Sequence, residues 1–109
     1  MEADVEIGYF VIIDHLYPER VHIRRGATIA MQSTILAHDE ARRYARDGIE
    51  EIRDTTIGRN AFVGVHTVVL PGVTVGDEAI VGAGSIVTKD VRSGAMVAGN
   101  PAHEITRDG

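Results

Sequence analysis

Five histidines and no cysteine set the chemistry this chain of 109 residues can offer. Without a thiol, disulfides, thiolate nucleophiles and cysteine-ligated zinc are all excluded. An imidazole with an ordinary pKa of ~6.5 can take a proton at neutral pH, and general base catalysis of that kind contributes about 10²–10⁴-fold in rate. His38 stands in "TILAHDE", at the start of a long polar stretch, where it reads either as such a base or as the cap of a surface turn beside Asp39. His66 lies in "VGVHTVV" at an outward-facing position. His15 and His22 flank "HLYPER" and His103 lies in the tail, and these three read as structural or solvated. No glycine-rich stretch spells GxxxxGK followed by Ser or Thr, so no P-loop competes. Ser33 and Ser85 fall where a small packing residue is needed, and no nucleophilic triad is indicated.

The elements that must carry these side chains announce themselves by a period of six. Ile57, Val63, Val69, Val75, Val81 and Val87 are aliphatic, and Ala61, Thr67, Val73, Ala79, Ser85 and Val91 follow each by four residues. Gly58, Gly64, Gly76 and Gly82 follow four of them by one, supplying the conformations that corners demand. A helix would return its apolar residues after three and four positions, and a strand would alternate by two. Six fits a short strand, a corner and a repeat, which stacks like positions along an axis as in a parallel β-helix. Upstream, Ile23, Ile29 and Ile35 keep the phase with Ala27 and Ser33 at the small position, and Val5 and Val11 extend it through a degenerate turn at Tyr17–Glu19. Twelve such hexads make about four three-sided coils, a prism ~20 Å tall.

The phase breaks between Ile35 and Ile57. Residues 38–54, rich in acids and arginines, read as an inserted loop, with room for one helical turn near Ala41–Arg46. A loop longer than ~12 residues in a compact domain is usually functional, disordered or a linker, and the clean resumption of the repeat disfavours a linker. Residues 92–109 form a closing segment punctuated by Gly94, Gly99 and Pro101, so the chain is read as one β-helix domain over 1–109.

Composition narrows the setting. A net charge of −5 argues against broad nucleic-acid binding, and no apolar run approaches the ~20 residues of a membrane helix. The opening "MEADVEIG" carries acids where a signal peptide carries bases, leaving the cytoplasm as the default location. Parallel strands want both faces covered, and so short a prism invites lateral packing of several copies.

The run "IGRNAFVGVHTVVLPGVTVGDEAIVGAGSIV", continued through "TKDVRSGAMVAGNPAHEI", resembles the hexapeptide-repeat acyltransferases, in particular the galactoside and maltose O-acetyltransferases. The resemblance covers nearly all of the chain from Val21 onward and implies a left-handed parallel β-helix, a handedness that ordinary crossover rules would not suggest. It also implies a homotrimer in which an acetyl group passes from acetyl-coenzyme A to a hydroxyl of a sugar or sugar-like acceptor, with no metal. By motif position His38 matches the family's catalytic general base. Val65 and Ala83 would offer backbone groups to the pantetheine arm, Thr88 and Lys89 would meet its phosphate end, and Asn100, Pro101 and Ala102 would shape the adenine end. Phe62 stands where many members carry Trp and, with His66, would contact the acceptor or the arm; a corner aromatic and a plain surface histidine are the competing readings. Lys89 reads alternatively as a solvated corner lysine. An arginine that commonly follows "NPA" is His103 here, with Arg107 further on, which leaves a phosphate contact at that point in question.

Two rivals remain in view. A non-catalytic β-helix scaffold would use the same coil without turnover. The γ-type carbonic anhydrases share the coil but place a histidine directly after "IG" and another five residues on, where this chain has Val65 and, five beyond His66, Pro71. A shortened relative, opening almost directly on its repeat, is a further possibility for the acceptor side.

Overall fold

Isoleucine and valine recur at spacings no single strand or helix can use, and the chain resolves this by turning three corners per coil. The computed structural model describes residues 1–39 and 51–105. Its strands are two to four residues long: β1 Glu6–Ile7, β2 Ile12–Ile13, β3 Val21–Ile23, β4 Thr28–Ile29, β5 Thr34–Ile35, β6 His38–Asp39, β7 Glu51–Ile52, β8 Thr55–Ile57, β9 Phe62–Val63, β10 Val68–Val69, β11 Thr74–Val75, β12 Ile80–Val81, β13 Ile86–Val87, β14 Met96–Gly99 and β15 Ala102–Glu104. Parallel pairing sorts them into three faces of a triangular prism: β1, β4, β9, β12 and β14 on the first, β2, β5, β10 and β13 on the second, and β3, β8 and β11 on the third. An isolated parallel bridge from Val75 to Val91 extends the third face.

In each regular strand one isoleucine or valine points into the shaft. Ile29, Val63 and Val81 pair in register on the first face, Ile35, Val69 and Val87 on the second, and Ile57 and Val75 on the third, all essentially without solvent exposure. Ala27, Ser33, Ala61, Thr67, Ala79 and Ser85, two residues ahead of these, are also buried. They are small because three side chains from three corners must share the cross-section of one coil.

Corners are held by a second ladder. The residue three after the shaft residue is left-handed at Gln32 and His66 on the corner between the first and second faces, and at Asn60 and Glu78 on the corner between the third and first. Each donates its N–H to the coil above: Gln32 to Tyr9, His66 to Met31, Asn60 to Arg25 and Glu78 to Arg59. Glycine serves that position at Gly84, with φ of +72°. Side chains there cost about 1–2 kcal/mol, so Phe10, left-handed at φ +60°, is the conspicuous exception among them. The glycines one after the shaft residue answer a different need: a Cβ at Gly64 would lie 2.7 Å from the Ala83 nitrogen. They are there for close approach between coils rather than for a left-handed backbone.

The first coil departs from the six-residue phase. Ile7 and Ile13, not Val5 and Val11, pair with Ile29 and Ile35, and the two valines take the small-residue position, half-buried against the core. The corner between Ile13 and Ile23 is longer than a regular one and contains a single 3-10 turn at Pro18–Arg20, which shifts everything before it by two. The second coil is interrupted after β5: β6 pairs antiparallel with β7, so the excursion leaves and returns as two adjacent strands. The helical turn expected near Ala41–Arg46 falls outside the described residues. Thr55 splices the return, donating to the Leu36 carbonyl and accepting from the Gly72 N–H. At the other end β15 folds back antiparallel on β14.

Candidate active site

Among the described residues, the corner between the second and third faces lacks the backbone ladder of the other two, and in the first coil a carboxylate takes its place. Asp14 directly follows β2 and has no solvent exposure. One oxygen accepts the N–H groups of Leu16 at 3.0 Å and Tyr17 at 2.9 Å, and the other accepts those of Ala37 at 2.7 Å and His38 at 3.0 Å in the coil below. The second oxygen also meets His38 Nδ1 at 2.5 Å. Burial alone would raise the pKa of Asp14, but the N–H groups of Ala37 and Tyr17, the His38 ring and the Leu16 N–H outweigh it and lower the value to about 2.

An ionised Asp14 selects the tautomer of His38. With a proton on Nδ1 directed to the carboxylate, the ring's lone pair is on Nε2. The side chain is 9% exposed, and it is framed by the Tyr17 ring at 5.4 Å and the His15 ring at 6.0 Å, both edge-on. A histidine held through one nitrogen by a buried anion is the arrangement a general base requires. Asp14 was not among the residues that the sequence marked. Nothing in "VIIDHLYPER" signals that an aspartate 24 positions upstream will lie one coil above His38; only the stacking of coils brings them together.

The other expected residues divide between two edges. Thr88 and Lys89 lie on the same edge as His38, two coils further, ~10 Å along the axis. Val65, His66 and Ala83 lie on the first corner, across the second face from His38, and Phe62 points outward on the first face, 43% exposed. Within one copy, therefore, His66 and Phe62 do not converge on His38. Asn100 and Pro101 form the turn from β14 to β15, with a cis peptide between them. Below the last coil a cleft of about 300 Å³ is lined by Lys89, Arg92, Ala102 and His103, together with Asp90 and Glu104. Arg92 pairs with Glu104 there. On the surface, His22 Nε2 lies 3.8 Å from Asp54, which also binds Arg20. Among the described residues no three His, Asp or Glu side chains gather as metal ligands, and no helix is long and apolar enough to cross a membrane.

Fold and repeat define a left-handed parallel β-helix of the hexapeptide-repeat class: residues 54–89 match the model described as the hexapeptide repeat of succinyl-transferase. Among its relatives, YvoF of Bacillus subtilis (strain 168), provisionally named an acetyltransferase, is 40% identical over 91 residues, 84% of this chain and 50% of its own. A galactoside acetyltransferase solved in complex with coenzyme A superposes with a TM-score of 0.73 at 31% identity, covering 95% of this chain and 55% of that one. A maltose O-acetyltransferase from Clostridium difficile 630 shares the fold with a TM-score of 0.75 at 23% identity, over 94% of this chain and 66% of its own. The chain spans about half the length of the curated relative.

Proposed function

We propose that the chain is an acyl-coenzyme A dependent O-acetyltransferase, working in the cytoplasm as a homotrimer on a sugar or sugar-like hydroxyl, with acetyl-coenzyme A as donor. The observation that carries this is the buried Asp14 holding His38 by Nδ1 at 2.5 Å. Four backbone N–H groups would suffice to match that carboxylate in a scaffold; its further hold on an imidazole gives a base that must lift a proton from a neutral hydroxyl both orientation and a stabilised imidazolium. The galactoside relative's complex with coenzyme A supports the choice of donor.

In this mechanism Nε2 of His38 takes the acceptor's proton as its oxygen attacks the thioester carbonyl. The carbonyl electrons move to oxygen, then return as the carbon–sulfur bond breaks. The imidazolium gives its proton to the leaving thiolate, so the products are an acetyl ester and the free thiol. Asp14 stays ionised throughout and stabilises the charged ring. Lys89 and Thr88, on the same edge as His38, would receive the phosphate end of the donor, with Asn100, Pro101 and Ala102 around the adenine. Val65 and Ala83 would present backbone groups to the arm, and Phe62 and His66 would face the acceptor or arm from a neighbouring copy.

The outer faces support lateral assembly. The first carries Phe62, Ile80 and Met96 outward beside Glu6 and Thr28, and the second Ile12, Val68 and Ile86 beside Thr34, while the third carries His22, Thr56 and Thr74. Two apolar faces meeting at one corner are what a three-fold packing of prisms would cover. The test is thiol release from acetyl-coenzyme A with a panel of sugar hydroxyl acceptors. Turnover in the wild type, lost in His38→Ala with the assembly unchanged, is the expected result. A His38→Ala variant that turns over at the wild-type rate, or a wild type that neither turns over nor binds the coenzyme, would sink the proposal.

A further inference from the structure

The corner after β2 is longer than a regular one, and the stacking of coils does not call for the additional residues. Both of its ends are tied down. At the front, one Asp14 oxygen accepts the N–H groups of Leu16 and Tyr17, closing a turn around the carboxylate. At the back, the Arg20 N–H returns to the Tyr17 carbonyl at 3.0 Å, and the Arg20 side chain pairs with Asp54 on the returning limb of the excursion. His15, Leu16, Pro18 and Glu19 are exposed on this turn, whereas Tyr17 turns inward and is half-buried against the core. Ordering these residues carries an entropic cost that the shaft itself does not offset.

What the turn places is an aromatic ring against the candidate base. The Tyr17 and His38 ring centroids are 5.4 Å apart with the planes at 63°, an edge-to-face contact. Asp14 supplies the other restraint, its second oxygen accepting the His38 backbone N–H at 3.0 Å and meeting Nδ1 at 2.5 Å. A hydrogen bond through one ring nitrogen fixes the tautomer and one point of the ring. The plane can still tilt about the N–H···O line, and the tilt swings the Nε2 lone pair. A second contact on the ring is needed to hold its plane. The His15 ring, at 6.0 Å, belongs to an exposed side chain and gives less hold than the half-buried Tyr17. Asp14 thus joins the two parts: one oxygen builds the turn that carries Tyr17, and the other holds the imidazole that Tyr17 meets.

We infer that Tyr17 is a positioning residue for His38 and acts through its ring: the edge-to-face contact holds the imidazole plane, so that Nε2 keeps one direction while it takes a proton and gives it back. The inference rests on the reading of His38 as the general base. A base whose nitrogen wanders in direction spends less time aligned with the hydroxyl it must deprotonate, and the loss falls on the chemical step.

The test compares Tyr17→Leu, which removes the aromatic ring, with Tyr17→Phe, which keeps the ring and removes the hydroxyl. Tyr17→Leu should lower kcat for thiol release from acetyl-coenzyme A by on the order of 3- to 10-fold and leave KM for the donor within about twofold. Tyr17→Phe should keep more than about half of the wild-type kcat. A loss carried by KM, a Tyr17→Leu variant at the wild-type kcat, or a Tyr17→Phe variant as slow as Tyr17→Leu overturns the inference. Nitrogen NMR of the histidine rings reads the same contact without turnover. In the wild type His38 should show a protonated Nδ1 and an unprotonated Nε2, with nuclear Overhauser contacts between its ring and that of Tyr17; in Tyr17→Leu the nitrogen signals should broaden toward their average. Absence of the Tyr17 contacts in the wild type overturns the inference without any variant having to fold. His38→Ala decides the base reading by itself: if it turns over at the wild-type rate that reading fails, whereas the NMR comparison alone decides whether Tyr17 holds the ring.

Discussion

Asp14 shows how one side chain can serve structure and chemistry together. It accepts four backbone N–H groups from two coils and orients His38, so its negative charge is matched although water is excluded. Its pKa of about 2 lies below the ordinary 3.8. The stabilisation linked to that difference is fully present above pH ~4 and is lost as the pH falls toward 2, an effect of about 2 kcal/mol measurable by urea unfolding across that window. Asp14→Ala leaves those N–H groups buried without an acceptor and should cost roughly 3–5 kcal/mol of unfolding free energy. Asp14→Asn keeps the shape but loses the anion, so thiol release should drop on the order of 10²-fold or more, with KM for the donor little changed. His38 was marked as a candidate by its place in the motif order. Its partner was not, because 24 residues separate them in the chain and the corner joining them is the irregular one.

At the scale of the element, the repeat encodes two separate constraints at neighbouring positions. The residue after each shaft residue must be small where the next coil passes close, and the third must tolerate a left-handed backbone. Gly64→Ala should therefore destabilise by roughly 1–3 kcal/mol, since its Cβ would press on the Ala83 nitrogen and the Val81 carbonyl oxygen. Gly84→Ala meets nothing within 4 Å and should cost only the backbone term, about 1 kcal/mol. Thermal or urea unfolding of the two variants separates the mechanisms. The hexads from Ile57 to Val87 were read in correct register because each corner there has the same length. The register of the first coil was misread by two residues, since Val5 and Val11 are as aliphatic as Ile7 and Ile13 and the longer corner after Asp14 leaves no mark in composition.

For the whole molecule, the unequal faces of the prism matter most. Ile80 and Ile86 point outward on the first and second faces and contribute nothing to the shaft. Under the trimeric reading, Ile86→Glu or Ile80→Arg should leave the β-sheet circular dichroism intact while sedimentation shifts from three copies to one, and thiol release should fall with it. A comparable charge on the third face, at Thr74, should do neither. From the sequence, coils this short are expected to pack against neighbours, but which faces they would use depends on the outward residue of each strand. That residue is known only once the register is known.

The sequence alone determined the coil, its axis-facing aliphatic column and the place of His38, because a stacked repeat is built from local positions that recur at fixed spacing. Tertiary structure decided the Asp14–His38 pair, the register of the first coil and the meeting of two apolar faces at the Tyr9–Phe10 corner. Each of these depends on which residues lie one above another, and a corner lengthened by a few residues changes that alignment without changing the pattern that announces the fold.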